Sequence, residues 1–280
     1  GEGHSTKWPV FEFKLSSERA MYAYSFIKEL VIETCEIRVD VEQMKNLSVF
    51  NDLGILDTTV PFFPFGSNPE VGSYFLIGNE EVFQKNITDL SIDIKWHNLP
   101  KKLGGFKSYY EAYNNEINNE SFKVGISCLT DFEFRPSELD SIQNFDLFKS
   151  LGDEDRLDNQ SSLDNVNIDK LKMKPIYDDI VIENFDNRSK TGFFKIELLG
   201  PEDGFGFSIY PELYTNALME NGPQTKPGIL PAKEKPKVSI PKEPFSPEIR
   251  ELTLKYSART LITLDQNKLS NKITTSKDQS

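Results

Sequence analysis

The chain has 280 residues, of which 38% are hydrophobic, and its formal net charge is −12. A chain of this size can bury one large hydrophobic core or two modest ones. Its acidic balance argues against nucleic-acid binding as the main function, since attraction to phosphates needs clustered Lys and Arg.

The composition and the chain start set further expectations. The 21 phenylalanines favour β structure. No window approaches the roughly 18 consecutive apolar residues of a membrane span, so none is expected. The chain begins at Gly1 and shows no secretory signal, so residues 1–7 are expected to be a cloning scar or an excision point within a longer protein.

Cys35 and Cys128 lie among alternating apolar residues and are interpreted as small buried hydrophobes; a disulfide or a metal site is the alternative. Such cysteine usage fits a reducing cytosol.

Residues 8–137 are predicted to form a β-rich lobe with one short aromatic helix. The clearest strand is Leu30–Gln43, where apolar and charged residues alternate as in an outer strand of an antiparallel sheet. The other predicted strands of this lobe are Lys7–Leu15, Ser73–Gly78, Asp89–Leu99 and Ser121–Pro136.

The segment Phe106–Asn115 changes to a helical period. Four aromatic residues fall at i, i+3, i+4 and i+7, which predicts one stripe of a short helix: Phe106, Tyr109, Tyr110 and Tyr113. The stripe is expected to anchor the helix on the sheet. A platform for a ligand such as a sugar ring, shared with Trp96, is the alternative.

Residues 138–174 are rich in Asp, Asn and Ser and are predicted to be a flexible acidic insertion. Within it, Asp153–Asn159 resembles a calcium loop only superficially, because the central glycine and the distal glutamate of an EF-hand are missing. A solvated loop is the favoured interpretation.

Residues 175–222 are predicted to be a second, β/α lobe. Its expected strands are Tyr177–Phe185 and Thr191–Gly200, joined by a turn. A helix should follow, with Ser208 as its cap, Pro211 in its first turn and Gly222 in the left-handed C-terminal position.

The C-terminal part carries a strap and a last strand. Residues 223–247 contain seven prolines and five lysines, which predicts an extended strap. Residues 248–264 are expected to return to the fold as a strand, and 265–280 to be a polar tail. The predicted fold class is mainly β with short helices (α+β), with antiparallel sheets in a sandwich-like arrangement and two lobes.

The sequence offers little for catalysis. His4 and His97 are the only histidines, which makes a catalytic triad or a zinc site improbable. Asp131 and Glu133 are predicted to share one face of a strand, as carboxylates of a solvated face do. No catalytic residue, no cofactor-binding residue and no metal ligand is predicted, and the protein is expected not to be an enzyme. A glycosidase remains an alternative, since it needs only two carboxylates in a cleft.

Several unusual strings occur in a recognisable order. Asn51–Pro100 contains "PFFPFG", a Val-Gly-Ser run, "IGNEEVF" and a strand that ends at Trp96. Together with "SYYEAY", Ile209–Met219 and Pro244–Ala258, it resembles a recurring block in the baseplate J-like proteins of phage-tail-like contractile injection systems. The resemblance spans roughly Leu30 to Ser257.

The resemblance implies a fragment of a longer structural protein of the baseplate wedge, which acts by protein–protein assembly. The implied partners are other wedge subunits and neighbouring domains of the same longer chain, with sheath and hub proteins as further candidates. Assembly into an injection particle in the bacterial cytoplasm is implied, without a cofactor. The alternative is a carbohydrate-binding or adhesin-like β module of a bacterial surface protein.

The proline-punctuated stretch Val60–Gly72 is the candidate protein interface. Its phenylalanines, Phe62, Phe63 and Phe65, each have a large area to bury, and its prolines restrict the backbone. Because successive side chains cannot all face one core, at least one ring is expected to contact another subunit or domain. The alternative is that all three pack within the chain.

Overall fold

The computed structural model describes residues 33–113, 116–138, 141–176, 182, 184–186, 188–222 and 237–263. The chain divides into two compact units: Arg38–Thr260, and Gly1–Ile37 together with Leu261–Ser280. Few residues of the second unit are described, so the architecture is that of the first.

A seven-stranded antiparallel sheet is the larger of the two main sheets. Its order is β3-β2-β4-β12-β6-β7, with β8 also paired to β6. Runs of aromatic and β-branched residues form its central strands, as expected for a pleated, buried surface. The strands are β2 (Ser48–Asn51), β3 (Gly54–Leu56), β4 (Tyr74–Gly78), β6 (Lys123–Thr130), β7 (Glu133–Arg135), β8 (Asn144–Asp146) and β12 (Phe193–Gly200).

A four-stranded sheet follows the order β1-β13-β5-β11. Its strands are β1 (Thr34–Met44), β5 (Ile87–Trp96), β11 (Gln160–Leu163) and β13 (Ile249–Thr263). In β1, half-buried apolar residues alternate with exposed residues, and the strand lies at the edge. The predicted outer position is therefore confirmed. A separate small hairpin pairs β9 (Ser150–Leu151) with β10 (Arg156–Leu157).

One hydrophobic core receives side chains from both main sheets. Ile92 and Leu254 come from the four-stranded sheet, and Ile126 and Ile196 from the seven-stranded sheet; all four are at most 1% exposed. The fold class predicted from the sequence, mainly β with antiparallel sheets in a sandwich-like arrangement, is confirmed.

Among the described residues, four short α-helices accompany the sheets: α1 (Glu80–Phe83), α2 (Gly105–Tyr109), α3 (Ile168–Leu171) and α4 (Tyr210–Asn221). The Asn79 side chain caps α1 by accepting a hydrogen bond from the Val82 N–H at 2.9 Å. In α4 the proline lies in the first turn as predicted. Two other predictions for α4 are wrong, because Ser208 does not cap it and Gly222 is extended at φ −67°.

The two predicted lobes contribute strands to the same sheet. Strand β12, from the predicted second lobe, lies between β4 and β6 of the predicted first lobe and pairs with both. Its hydrogen bonds therefore complete the centre of one sheet. The predicted hairpin that joins it to Tyr177–Phe185 is absent from the residues described there, 182 and 184–185, which carry no strand.

The structure of 138–174 differs from the expected flexible insertion. The segment supplies β8 to the larger sheet and β11 to the smaller one, and Leu147, Phe148 and Leu163 are almost completely buried. Gly125 of β6 makes room for Ile142, since a Cβ there would lie 2.3 Å from the Ile142 Cγ2. The segment takes an ordered structure with few apolar residues because most of these residues pack in the core.

The predicted single strand Ser121–Pro136 is a hairpin. Strand β6 ends at Thr130 and β7 starts at Glu133, with Asp131 and Phe132 forming the turn. Asp131 therefore does not share a strand face with Glu133, which corrects the sequence interpretation. Alternation continues on both sides of a two-residue turn, so periodicity alone did not locate it.

Other predictions fall outside the described residues: the strand Lys7–Leu15, the strap portion 223–236 and the tail 265–280. Within the described strap, Lys237–Pro247, no helix or strand is present. The final strand is confirmed, with Leu252, Leu254 and Tyr256 buried.

Candidate protein interface

The three candidate interface phenylalanines separate into two groups. Phe62 is buried and forms an isolated antiparallel bridge with Ile249, whose carbonyl accepts from the Phe62 N–H at 3.0 Å. Phe65 is also buried, and its ring meets the Phe75 ring edge-on at 5.3 Å. These two rings stabilise the core. Phe63, between them, is 39% exposed.

Asn51 joins the Phe63 loop to the β2–β3 hairpin. Its side-chain oxygen accepts from the Leu53 N–H at 2.9 Å, and its side-chain nitrogen donates to the Phe63 carbonyl at 3.3 Å. One amide group therefore holds Leu53 and Phe63 next to each other. The sequence gives no direct signal of this, because the Asn51 side chain spans 12 residues to reach the Phe63 carbonyl.

Four exposed apolar residues lie in the β2–β3 hairpin and the following loop, and we name this set the hairpin patch: Leu53 (85% exposed), Ile55 (66%), Val60 (52%) and Phe63 (39%). Ile55 belongs to β3, which lies at the edge of the seven-stranded sheet. An edge strand presents unpaired backbone groups, and clustered apolar side chains mark surfaces that dock other proteins.

Carboxylates border the hairpin patch. The Thr59 hydroxyl and N–H donate to the Asp57 carboxylate at 2.6 and 2.9 Å and lower the pKa of Asp57. Burial raises the pKa of Tyr74, with Asp52 adding a hydrogen bond and a negative charge. Apolar residues flanked by polar groups are the usual anatomy of a protein interface.

The predicted aromatic stripe holds the strap, although α2 ends at Tyr109 and Tyr113 lies in the turn that follows it. Tyr109 donates to the Glu243 carbonyl at 2.9 Å, and Tyr113 donates to the Lys242 carbonyl at 2.5 Å. The Lys242 ammonium also lies 4.7 Å from the centre of the Tyr109 ring. The stripe therefore anchors the helix and fixes the strap.

The alternative of a sugar platform does not fit the positions of these rings. Tyr110, Tyr113 and Trp96 are at most 4% exposed. The Trp96 N–H donates to the Ser161 hydroxyl at 2.9 Å, and burial strongly raises the pKa of Tyr110 and Tyr113. Rings buried in this way have no face available for a ligand.

The groups considered for chemistry are scattered. Cys128 is buried, and burial raises its pKa to about 12, as expected for an unreactive thiol. Cys35 is half-buried, and both cysteines are free. In the described part of the chain, no cluster of three or more His, Cys, Asp or Glu residues could hold a metal ion. The described helices include none that could span a membrane.

Comparison with known proteins assigns the family. Residues 26–167, just over half of the chain, match the family model described as "Baseplate protein PVC11-like". The chain therefore belongs to this family of baseplate proteins, and the predicted resemblance to baseplate proteins of phage-tail-like systems is confirmed. Membership supports a structural, non-enzymatic role together with other baseplate components. No curated protein matches the chain.

Proposed function

We propose that this chain is a structural component of the baseplate wedge and that it assembles through the hairpin patch. The observation that supports this proposal is the pairing of Leu53 with Phe63 through Asn51. Phe62 and Phe65, on either side of Phe63, are in the core. The loop therefore has a fixed backbone while it presents one ring outward.

A rigid apolar surface favours assembly for two reasons. Removal of apolar surface from water contributes roughly 25 cal/mol per Å². A pre-ordered surface also loses little conformational entropy when the partner binds. The hairpin patch meets both conditions, since the Phe62 bridge to Ile249 and the Asn51 hydrogen bonds fix its backbone.

The proposed partners are other wedge subunits and neighbouring domains of the same longer chain, with sheath and hub proteins as further candidates. The proposed place of assembly is the bacterial cytoplasm, where the protein enters an injection particle. The protein acts by binding and not by catalysis, and it requires neither a nucleic acid nor a cofactor.

The test is co-assembly of a double variant, Leu53→Ser with Phe63→Ser, with the other wedge subunits. Complex formation is followed by size-exclusion chromatography, and the melting temperature of the isolated chain is measured in parallel. We expect loss of co-assembly without a large fall in the melting temperature. The matched control is Leu103→Ser with Met219→Ser, since Leu103 and Met219 are 54% and 71% exposed elsewhere in the chain.

Two outcomes would contradict the proposal. Unchanged co-assembly of the Leu53/Phe63 variant would show that the hairpin patch is not the interface. A large loss of stability in the isolated variant would show that these side chains serve intramolecular packing.

A further inference from the structure

The turn between β6 and β7 exposes a large aromatic residue in an unfavourable backbone conformation. Asp131 and Phe132 have φ values of 51° and 70°, in the left-handed region that favours glycine. Phe132 is nonetheless 60% exposed, so its ring gains little from packing within the chain. Such strain is retained where the surrounding structure enforces it and often where function requires it.

Contacts from Lys190 hold this turn in place. The Phe132 N–H donates to the Lys190 carbonyl at 3.2 Å, and the Lys190 ammonium lies 3.4 Å from the Asp131 carboxylate. Within the neighbouring strand β7, the Arg135 guanidinium forms an ion pair with the Glu133 carboxylate at 2.9 Å. The Phe132 ring is therefore presented from a fixed position.

Two grooves meet at the turn. They have volumes of about 560 and 510 Å³ and share four lining residues, Thr130, Asp131, Met173 and Lys174. Phe132 directly follows one of these shared residues along the chain. The Phe132 backbone therefore adjoins the junction of the two grooves, although its ring lines neither of them.

The second groove is cationic although the chain is strongly acidic. Lys85, Lys172 and Lys174 line it, and among the described residues none of the three has an ion-pair partner. Arg135 also lines it but is paired with Glu133, and the acidic lining residues are Asp131 and Asp169. The surface therefore has an excess of positive charge beside an exposed aromatic ring.

We propose that this Phe132 surface, defined as Phe132 with Lys85, Lys172 and Lys174, binds an acidic segment of a protein partner. Carboxylates of the segment would face the lysines, and an apolar side chain of the segment would pack on the ring. Charge complementarity favours this occupant, since no described residue forms an ion pair with the three lysines. Nucleic acid is disfavoured by the net charge of −12, which repels phosphates. This surface shares no residue with the hairpin patch and needs no assembly through it.

The experiment selects peptides on the purified 280-residue chain from a random library of twelve-residue sequences displayed on phage. Peptides that also bind the Lys172→Glu/Lys174→Glu variant are removed. We expect the remaining peptides to carry net negative charge and at least one apolar residue. A synthetic version should bind at least tenfold more weakly to the Lys172→Glu/Lys174→Glu variant and more weakly at higher salt concentration.

Two further variants give matched comparisons. Phe132→Gly removes the ring and relieves the backbone strain, so it should lose binding while its melting temperature is unchanged or higher. Lys101→Glu/Lys102→Glu makes the same change in net charge at two exposed lysines outside both grooves and should bind like the unmodified chain.

The proposal is overturned if no peptide is enriched, or if the enriched peptides are neutral or basic. If the Lys101/Lys102 control weakens peptide binding equally, the effect comes from net charge alone. If a random DNA oligonucleotide at equal concentration displaces the peptide, the surface is a phosphate-binding site instead. Because Leu53 and Phe63 are unchanged throughout, failure here leaves the hairpin patch proposal unaffected.

Discussion

The hydroxyl group of Tyr113 donates a 2.5 Å hydrogen bond to the backbone carbonyl of Lys242, 129 residues later in the chain. This contact and the similar one from Tyr109 hold an extended, proline-containing strap that has no hydrogen-bonded partner strand in its described part. A strap without a backbone ladder depends on side chains for its backbone hydrogen bonds.

Tyr113→Phe should therefore lower the free energy of unfolding by about 0.5–1.5 kcal/mol, since it removes one hydrogen bond and keeps the ring. Denaturant titration measures the loss, and hydrogen exchange should show faster exchange in the strap. The control is Tyr214→Phe, since the described residues provide no hydrogen bond to that hydroxyl. Equal effects of the two substitutions would contradict the role of the Tyr113 hydroxyl.

Phe65→Ala should cost about 3–5 kcal/mol of stability, because it removes a buried ring and leaves a cavity beside Phe75. Phe63→Ser, two positions earlier, should change stability by less than about 1 kcal/mol because Phe63 is partly exposed. Chemical denaturation of both variants tests the division of the loop into core and surface rings. Similar losses for the two would refute it.

Glu251 gives the stability a defined pH dependence. Hydrogen bonds from Lys45 and Lys95 lower its pKa from 4.5 to about 2. Because the folded-state pKa is below the unfolded value, the contribution is present above pH 4.5 and is lost as the pH falls towards 2. Glu251→Gln should therefore reduce the fall in stability between these pH values, as measured by denaturant unfolding at a series of pH values.

The control for this pH dependence is Glu220→Gln, an exposed carboxylate of α4 without an ion pair among the described residues. This variant should lose as much stability as the unmodified chain when the pH falls from 4.5 towards 2. If Glu251→Gln loses as much stability at low pH as the unmodified chain, the two lysine contacts of Glu251 do not contribute to the pH dependence.

Phe132→Gly should raise the free energy of unfolding by about 1 kcal/mol. Glycine adopts the φ of 70° without steric cost, which stabilises the folded state. This stabilisation exceeds the larger loss of conformational entropy that glycine undergoes on folding. The melting temperature and denaturant midpoint both measure it. Phe134→Gly, in the following strand, should instead destabilise the protein, since Phe134 packs against a second buried cluster, made up of Phe50, Leu76, Leu129, Ile182 and Phe193.

The strands with clear alternation could be predicted from the sequence. In β1, β5 and β13, apolar residues recur every second position, and the structure buries that face in β5 and β13 and half-buries it in β1. The burial of the aromatic stripe was also predictable, because its rings are large, although α2 ends at Tyr109 and the helical period predicted a longer helix. For the candidate interface, the sequence pointed to Phe62, Phe63 and Phe65 together and did not decide which ring is exposed.

Other features had no comparable local signal. The acidic segment 138–174 enters both sheets through single short strands, too short for a periodic pattern to be visible. Leu53 and Ile55 were not predicted because isolated apolar residues near a turn are common, and only the Asn51 hydrogen bonds link the Leu53 turn to the Phe63 loop.

Alternating residues, extended stretches and the likeness to baseplate proteins could be recognised from the amino-acid sequence alone, because they depend on local residue pattern and on characteristic strings. The position of β12 between β4 and β6, the contacts of the strap with tyrosines and the exposure of Phe63 became apparent only in the folded chain. Backbone hydrogen-bonding groups are the same in every strand, so the choice of partner depends on how all faces pack together. That choice is a property of the whole core, which no short stretch of sequence contains.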